Sequence, residues 1–143
     1  GKVPFPEGNI FRMRGELPPP EAADEYQARL TAVAARMGEP RYVHDLLLLG
    51  MGDDGHTASL FPETAALGET ERCVVANQVP KLHTDRITLT FPSINAARHV
   101  VFLVNDPKKQ PVVDEVLSGK SDYPSGRVAP ASGNLTWLLG DGR

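Results

Sequence analysis

The densest chemistry in the chain lies in the stretch Leu49-Gly50-Met51-Gly52-Asp53-Asp54-Gly55-His56-Thr57-Ala58-Ser59-Leu60-Phe61-Pro62. An imidazole, with an unperturbed pKa near ~6.5, is suited to taking a proton from water at neutral pH. A neighbouring carboxylate such as Asp54 can fix its tautomer or raise its basicity. Gly50, Gly52 and Gly55 let the backbone turn sharply and approach a ligand closely. A short helix is expected from His56, whose free amides would receive an anion or an oxyanion. Gly52, Gly55 and Thr57 are therefore candidate contacts to a bound anion, beside His56 as base and Asp54 as its support. The same residues also describe a plain turn with His56 capping a helix, and a lone Gly-x-Gly does not separate the two readings.

The elements that must position this stretch are legible around it. Asp45-Leu46-Leu47-Leu48-Leu49-Gly50 is a short continuous apolar run, as expected of a strand buried on both faces. Ligands in open α/β sheets bind just outside the carboxyl ends of such strands, where His56 would stand. Further strand-like runs lie at Cys73 to Val79, Arg86 to Phe91, His99 to Val104 and Asn134 to Leu139. From Glu21 to Met37, Ala22, Tyr26, Leu30, Val33, Ala34 and Met37 recur at helical spacing, and Gly38 supplies a stop. Shorter helices are expected at Ser93–Arg98 and at Lys109–Leu117, the latter with Val113, Val116 and Leu117 on one face. Residues 1–20, rich in proline and glycine, read as an extended connector. Strands alternating with helices predict an α/β, Rossmann-like fold with a mostly parallel sheet flanked by helices, residues 1–143 forming a single α/β domain or the C-terminal part of one.

Composition narrows the partners. With 143 residues, a net charge of −3 and interspersed charges, the chain has no basic field for nucleic acid or an anionic membrane. Cys73 is the only cysteine, which excludes an internal disulfide and a cysteine-built zinc site and fits a reducing compartment, with the cytoplasm as the default. No apolar run approaches a membrane span, and Gly1-Lys2-Val3-Pro4-Phe5-Pro6 lacks a signal-peptide apolar core. His44, His83 and His99 have no ligand-like spacing with His56, so surface or packing roles are expected. Gly119-Lys120-Ser121 is not a phosphate loop, because Asp114 stands where the earlier glycine is required. No Gly-x-Ser-x-Gly elbow occurs, which makes Ser59 a hydrogen-bonding residue and water the nucleophile. Trp137 and Cys73 read as core residues.

The stretch from Gly50 to Pro62 resembles the signature of the 6-phosphogluconolactonases, within the glucosamine/galactosamine-6-phosphate isomerase superfamily. Further matches follow in order: Arg86-Ile87-Thr88-Leu89-Thr90-Phe91-Pro92 with Asn95-Ala96-Ala97-Arg98, then Phe102-Leu103-Val104 with Lys109, then Gly133-Asn134-Leu135-Thr136-Trp137. Leu17-Pro18 and Glu21-Ala22-Ala23-Asp24-Glu25-Tyr26 fit the family's helix before the motif, so the resemblance covers nearly the whole chain. It implies a NagB/RpiA/CoA transferase-like fold and hydrolysis of 6-phospho-D-glucono-1,5-lactone to 6-phosphogluconate in the oxidative pentose phosphate pathway, without metal or organic cofactor. It makes His56 the base that activates water and Asp54 its support. Lys109 falls at the family's phosphate-contacting lysine, preferred over Lys108 because Val113, Val116 and Leu117 then keep the family's apolar spacing; Arg86 is a weaker candidate for the same anion.

Two rival readings accompany it. Glucosamine-6-phosphate deaminases carry a related motif with a glutamate shortly after the histidine, where this chain has Ser59-Leu60-Phe61-Pro62. A sugar-phosphate-binding module that kept the fold and lost turnover is the non-enzymatic alternative. Members of the family also run longer at the N-terminus, with a glycine-rich phosphate loop and an Asp-Glu-Arg segment that do not occur in this sequence. On that basis the first strands of the sheet are expected to be missing, the chain alone to be poorly active, and its assembly to be either monomeric or an association through an exposed sheet edge or the missing segment.

Overall fold

The computed structural model describes residues 4–131 and 133–140. A three-stranded parallel sheet has the order β1 (Leu47–Leu49), β4 (His99–Val104), β5 (Asn134–Leu139), with Leu47 opposite Val100 and His99 opposite Asn134. A separate antiparallel hairpin joins β2 (Val74–Val79) to β3 (Thr84–Leu89). With the helices α1 (Pro19–Met37), α2 (Phe91–Ile94) and α3 (Gln110–Leu117), this is the mixed α/β architecture that the alternation of patterns predicts.

The hairpin is what the pattern did not show. Its strands were expected as members of one largely parallel sheet, but only residues 80–83 separate them, far too few for a parallel crossover, which needs about a dozen. Pro80–Leu82 form a tight helical turn and His83 takes a left-handed φ of 48°, so the chain folds straight back on itself.

Helix α1 begins two residues before its first expected position, because proline is well tolerated in a first helical turn. It ends at Gly38, whose φ of 73° allows paired closing bonds from Gly38 and Glu39 to the carbonyls of Ala35 and Ala34. Ala23 and Leu30 pack with Cys73 and Val74, flanked by Tyr26, Ile87 and Leu89, so α1 covers the hairpin. Gln27 Oε1 accepts from the amides of Cys73 and Val74 and pins the start of β2 to the helix. Helix α2 is shorter than expected and starts earlier, since the Thr90 side chain accepts from the Ser93 amide and Pro92 lies in the first turn.

The main core lies on one face of the parallel sheet. Leu47, Leu49, Val100, Phe102 and Val104 pack with Met51, Leu60, Phe91, Ile94, Val113 and Val116. Trp137 stacks on Phe102 with ring centroids 4.0 Å apart, the packing role expected of it. β1 was expected to be buried on both faces, but Leu48 points away from this core and is 58% exposed, on a face that also presents Leu103 and Leu138. Among the described residues, no helix is long and apolar enough to cross a membrane, and no cluster of His, Cys, Asp and Glu could hold a metal ion.

Candidate active site

The loop from Gly50 to Pro62 leaves the carboxyl end of β1 and is closed by its own backbone. The Gly52 amide donates to the His56 carbonyl at 2.9 Å, and the Gly55 amide to the Gly52 carbonyl at 3.0 Å. Gly55 has a φ of 71°, a conformation that residues with a Cβ seldom adopt. This turn brings the side chains of residues 54 and 56 to the same side, so that His56 Nδ1 and Asp54 Oδ1 lie 2.5 Å apart. The His56 amide donates to the same oxygen at 3.3 Å.

Two further features seat the imidazole. A Cβ on Gly52 would fall 2.1 Å from both Nδ1 and Cε1 of His56, so only glycine leaves room for the ring. Phe61 stacks on the imidazole with centroids 4.0 Å apart and planes 21° apart. The outer part of the loop is then tied to the hairpin: the Ser59 amide donates to Thr88 Oγ1 at 3.0 Å, and Asn77 Nδ2 donates to the Ser59 carbonyl at 2.8 Å.

The helix expected from His56 does not form. Ala58 and Glu63 have φ values of 49° and 60°, and Thr57 and Leu60 face each other across an isolated bridge, so the segment is a pair of tight turns. The reason lies in the buried polar groups, since Thr57 Oγ1 donates back to the Gly50 carbonyl and the Ser59 amide is taken by Thr88. There is accordingly no row of free helix-end amides at this position. The Thr57 hydroxyl is fully buried and bonded within the loop, and Ser59 takes part through its backbone.

The ionised Asp54 sets which nitrogen carries the proton in a neutral His56. Partial burial pushes the Asp54 carboxyl up, but hydrogen bonds from the Lys81 ammonium and from His56 outweigh it and hold the group at about 2. Lys81 Nζ donates to Asp54 Oδ2 at 2.7 Å while His56 uses Oδ1. An ionised carboxylate only accepts hydrogen bonds, so the proton of neutral His56 sits on Nδ1 and the lone pair on Nε2.

Lys109 reaches the same loop from the start of α3, beyond the carboxyl end of β4. Its Nζ donates to the Met51 carbonyl at 2.7 Å and lies 3.7 Å from Asp53. His56 and Lys109 line one open cleft of about 380 Å³ with Leu49, Gly50 and Gly52. Lys108 is exposed and does not line this cleft, its amide donating to Asp106 Oδ1. Arg86 is not brought into this group: it is exposed in the middle of β3, opposite Asn77, and lines neither this cleft nor the adjoining one. The adjoining cleft, about 270 Å³, is bounded by Asp54, Phe61, Pro62, Val79, Pro80 and Lys81.

The other histidines have packing or surface positions. His44 makes an edge-on contact with Tyr42, and burial pushes its imidazole down, while His99 Nε2 lies 3.0 Å from Thr136 Oγ1. His83 is exposed in the hairpin turn.

The family model described as glucosamine-6-phosphate isomerases/6-phosphogluconolactonase matches residues 1–137. The chain belongs to this family. It is 41% identical over 137 residues to a 6-phosphogluconolactonase of Chlamydia trachomatis, a match covering 94% of this chain and 51% of that protein. To the human 6-phosphogluconolactonase it is 39% identical over 141 residues, covering 96% and 54% of the two chains. The crystal structure of a devB protein superposes with a TM-score of 0.85 at 29% identity, over 99% of this chain and 60% of that one. The 6-phosphogluconolactonase of Thermotoga maritima gives a TM-score of 0.76 at 28% identity, over 96% and 58%. The chain spans about half the length of the curated relatives it matches.

In this member of the family, Lys81 and Phe61 are the two site residues that sequence reasoning did not assign. Phe61 lies inside the signature, and its stacking on His56 needed the geometry of the two turns. Lys81 is 27 residues from Asp54, and recognising residues 80–83 as a hairpin turn was the one signal that would have brought it near.

Proposed function

We propose that this chain carries the hydrolytic site of a 6-phosphogluconolactonase, which opens 6-phospho-D-glucono-1,5-lactone to 6-phosphogluconate. The observation that carries the reading is His56, with Nδ1 bonded to an ionised Asp54 and its ring on the cleft that Lys109 also lines. In this reading Nε2 takes a proton from water as the water oxygen attacks the lactone carbonyl carbon. The carbonyl electrons move to oxygen, and their return breaks the bond to the ring oxygen. That oxygen takes the proton back from the imidazolium, and the acid formed ionises to the carboxylate. Asp54 stabilises the transient imidazolium and keeps the ring oriented.

Lys109 supplies the positive charge for the substrate's phosphate, so that binding at the remote end positions the reacting carbon. Gly52 and Gly55 act by seating the base and shaping the turn. The presence of Phe61 against the imidazole, in place of a second acid, supports water addition to a lactone over the additional proton transfers of a deaminase.

The test follows hydrolysis of fresh 6-phosphogluconolactone above its spontaneous background, in the intact protein and in its His56→Ala and Lys109→Ala forms. Loss of the base is expected to cost ~10²- to 10⁴-fold in kcat, and loss of the lysine to act first on KM. Tight binding of 6-phosphogluconate with no turnover in the unaltered protein would replace the lactonase reading by that of a binding module.

A further inference from the structure

We infer that Lys81 is a positioning residue for the base: it anchors Asp54 through Oδ2 so that Oδ1 stays on Nδ1 of His56. The inference rests on the lactonase reading for its kinetic consequence and on geometry alone for its structural one.

Asp54 has two carboxylate oxygens and each has its own partner, Lys81 at 2.7 Å on Oδ2 and His56 at 2.5 Å on Oδ1. With only one oxygen held, a short aspartate side chain is free to rotate about its terminal bond, a torsion with broad wells. Bonds to both oxygens fix the plane of the carboxylate and with it the plane of the imidazole it holds. Lys81 approaches from the adjoining cleft, which shares no lining residue with the cleft of His56 and Lys109. A lysine placed to grip the substrate's phosphate would be expected to line the cleft with Lys109, whereas Lys81 lines the other cleft and bonds the Asp54 oxygen that His56 does not use.

The turn holds it there. Pro80 fixes φ on one side of Lys81, and Val79 beside it is almost fully buried, so the end of the hairpin has little freedom even though the lysine side chain is exposed. The loop that carries Asp54 is bound to the same hairpin through Asn77 and Thr88. Hairpin and loop thus form one unit, and Lys81 is its polar clasp at the site.

The test compares Lys81→Met and Lys81→Arg with the unaltered protein by two independent readouts. One is the ¹⁵N and ¹H NMR signature of His56, in which a proton fixed on Nδ1 and bonded to a carboxylate gives a slowly exchanging low-field resonance. The other is lactone hydrolysis. Lys81→Met is expected to broaden or shift that resonance toward a mixed tautomer and to lower kcat about fivefold at unchanged KM, the rate equivalent of the ~1 kcal/mol that an exposed ion pair can contribute. Lys81→Arg is expected to restore both. An unchanged His56 signature in Lys81→Met overturns the inference, as does a raised KM at unchanged kcat, which would make Lys81 a substrate contact. If the unaltered protein shows no hydrolysis, the lactonase reading fails by itself, and the NMR comparison still decides the positioning role.

Discussion

Replacing Gly52 by alanine adds one methyl group at the point where the structure has least room for it. The new carbon would lie 2.1 Å from Nδ1 and Cε1 of His56, against the 3.4 Å at which ordinary contact begins, so the ring must retreat by more than an ångström. The edge it strikes is the one that holds Asp54 at 2.5 Å, and the stacked Phe61 closes another direction of escape. The hydrogen bond that sets the tautomer is therefore expected to break on substitution. A misplacement of ~1 Å in a reacting group can cost on the order of 10²-fold in rate, and that is the loss expected in kcat. Because the obstructed atoms belong to the end of a side chain, the cost to folding is expected at the lower end of the ~1–3 kcal/mol typical of overpacking. Lactone hydrolysis under saturating substrate measures the first effect, and urea unfolding the second. Gly52→Ala with full activity and an unaltered His56 resonance would refute the claim that this glycine seats the base.

Gly55→Ala meets a different obstacle, a left-handed φ of 71° together with a Cβ placed 2.4 Å from the Tyr123 ring, so a loss of at least ~2 kcal/mol is expected in urea unfolding. The acid behaviour of Asp54 gives a third expectation. Its carboxyl is held at about 2 in the folded chain, below the ~3.9 of a free aspartate, so the folded state favours the ionised form. The stabilisation from this group is present in full above the unfolded value and is lost as pH falls through about 2. A ¹³C titration of the Asp54 carboxyl should find its midpoint there, and Lys81→Met should move that midpoint upward.

The residues proposed for proton chemistry were legible as candidates because they lie within one local turn, and the family resemblance chose that reading over a plain turn. Asp54 and His56 are two positions apart, and a glycine between them is enough to bring their side chains together. Lys109 was reached through the family resemblance instead, with the apolar spacing of Val113, Val116 and Leu117 choosing it over Lys108. β4 and β5 matched their apolar runs residue for residue. What the sequence hid was tertiary. The pairing of β2 with β3 depends on a four-residue connection that the eye reads as an ordinary break between strands. The helix looked for after His56 was defeated by Thr57 and Ser59, whose hydrogen bonds to Gly50 and Thr88 offer the backbone an alternative to helical pairing. Arg86, in a run that matches the family, turned out to occupy the exposed middle of a strand.

The two sheets also differ in how far along the chain their partners lie, and this sets an order of events during folding. Pairing β2 with β3 closes only a few residues, an event on the microsecond scale of ~1–10 μs typical of hairpins. Laying β4 beside β1 requires closing a loop of about fifty residues, with a larger entropic cost before any contact is gained. Asp54 and His56 hang from the end of β1, Lys81 from the tip of the hairpin and Lys109 from the segment after β4. In refolding, the loop and its lysine clasp can meet as soon as the hairpin docks, but Lys109 arrives only with the long-range strand. Ordering of the His56 resonance should therefore precede the closing of the Lys109 bond to the Met51 carbonyl, and the interval between them measures the time the chain spends with one wall of the cleft in place and the other still to come.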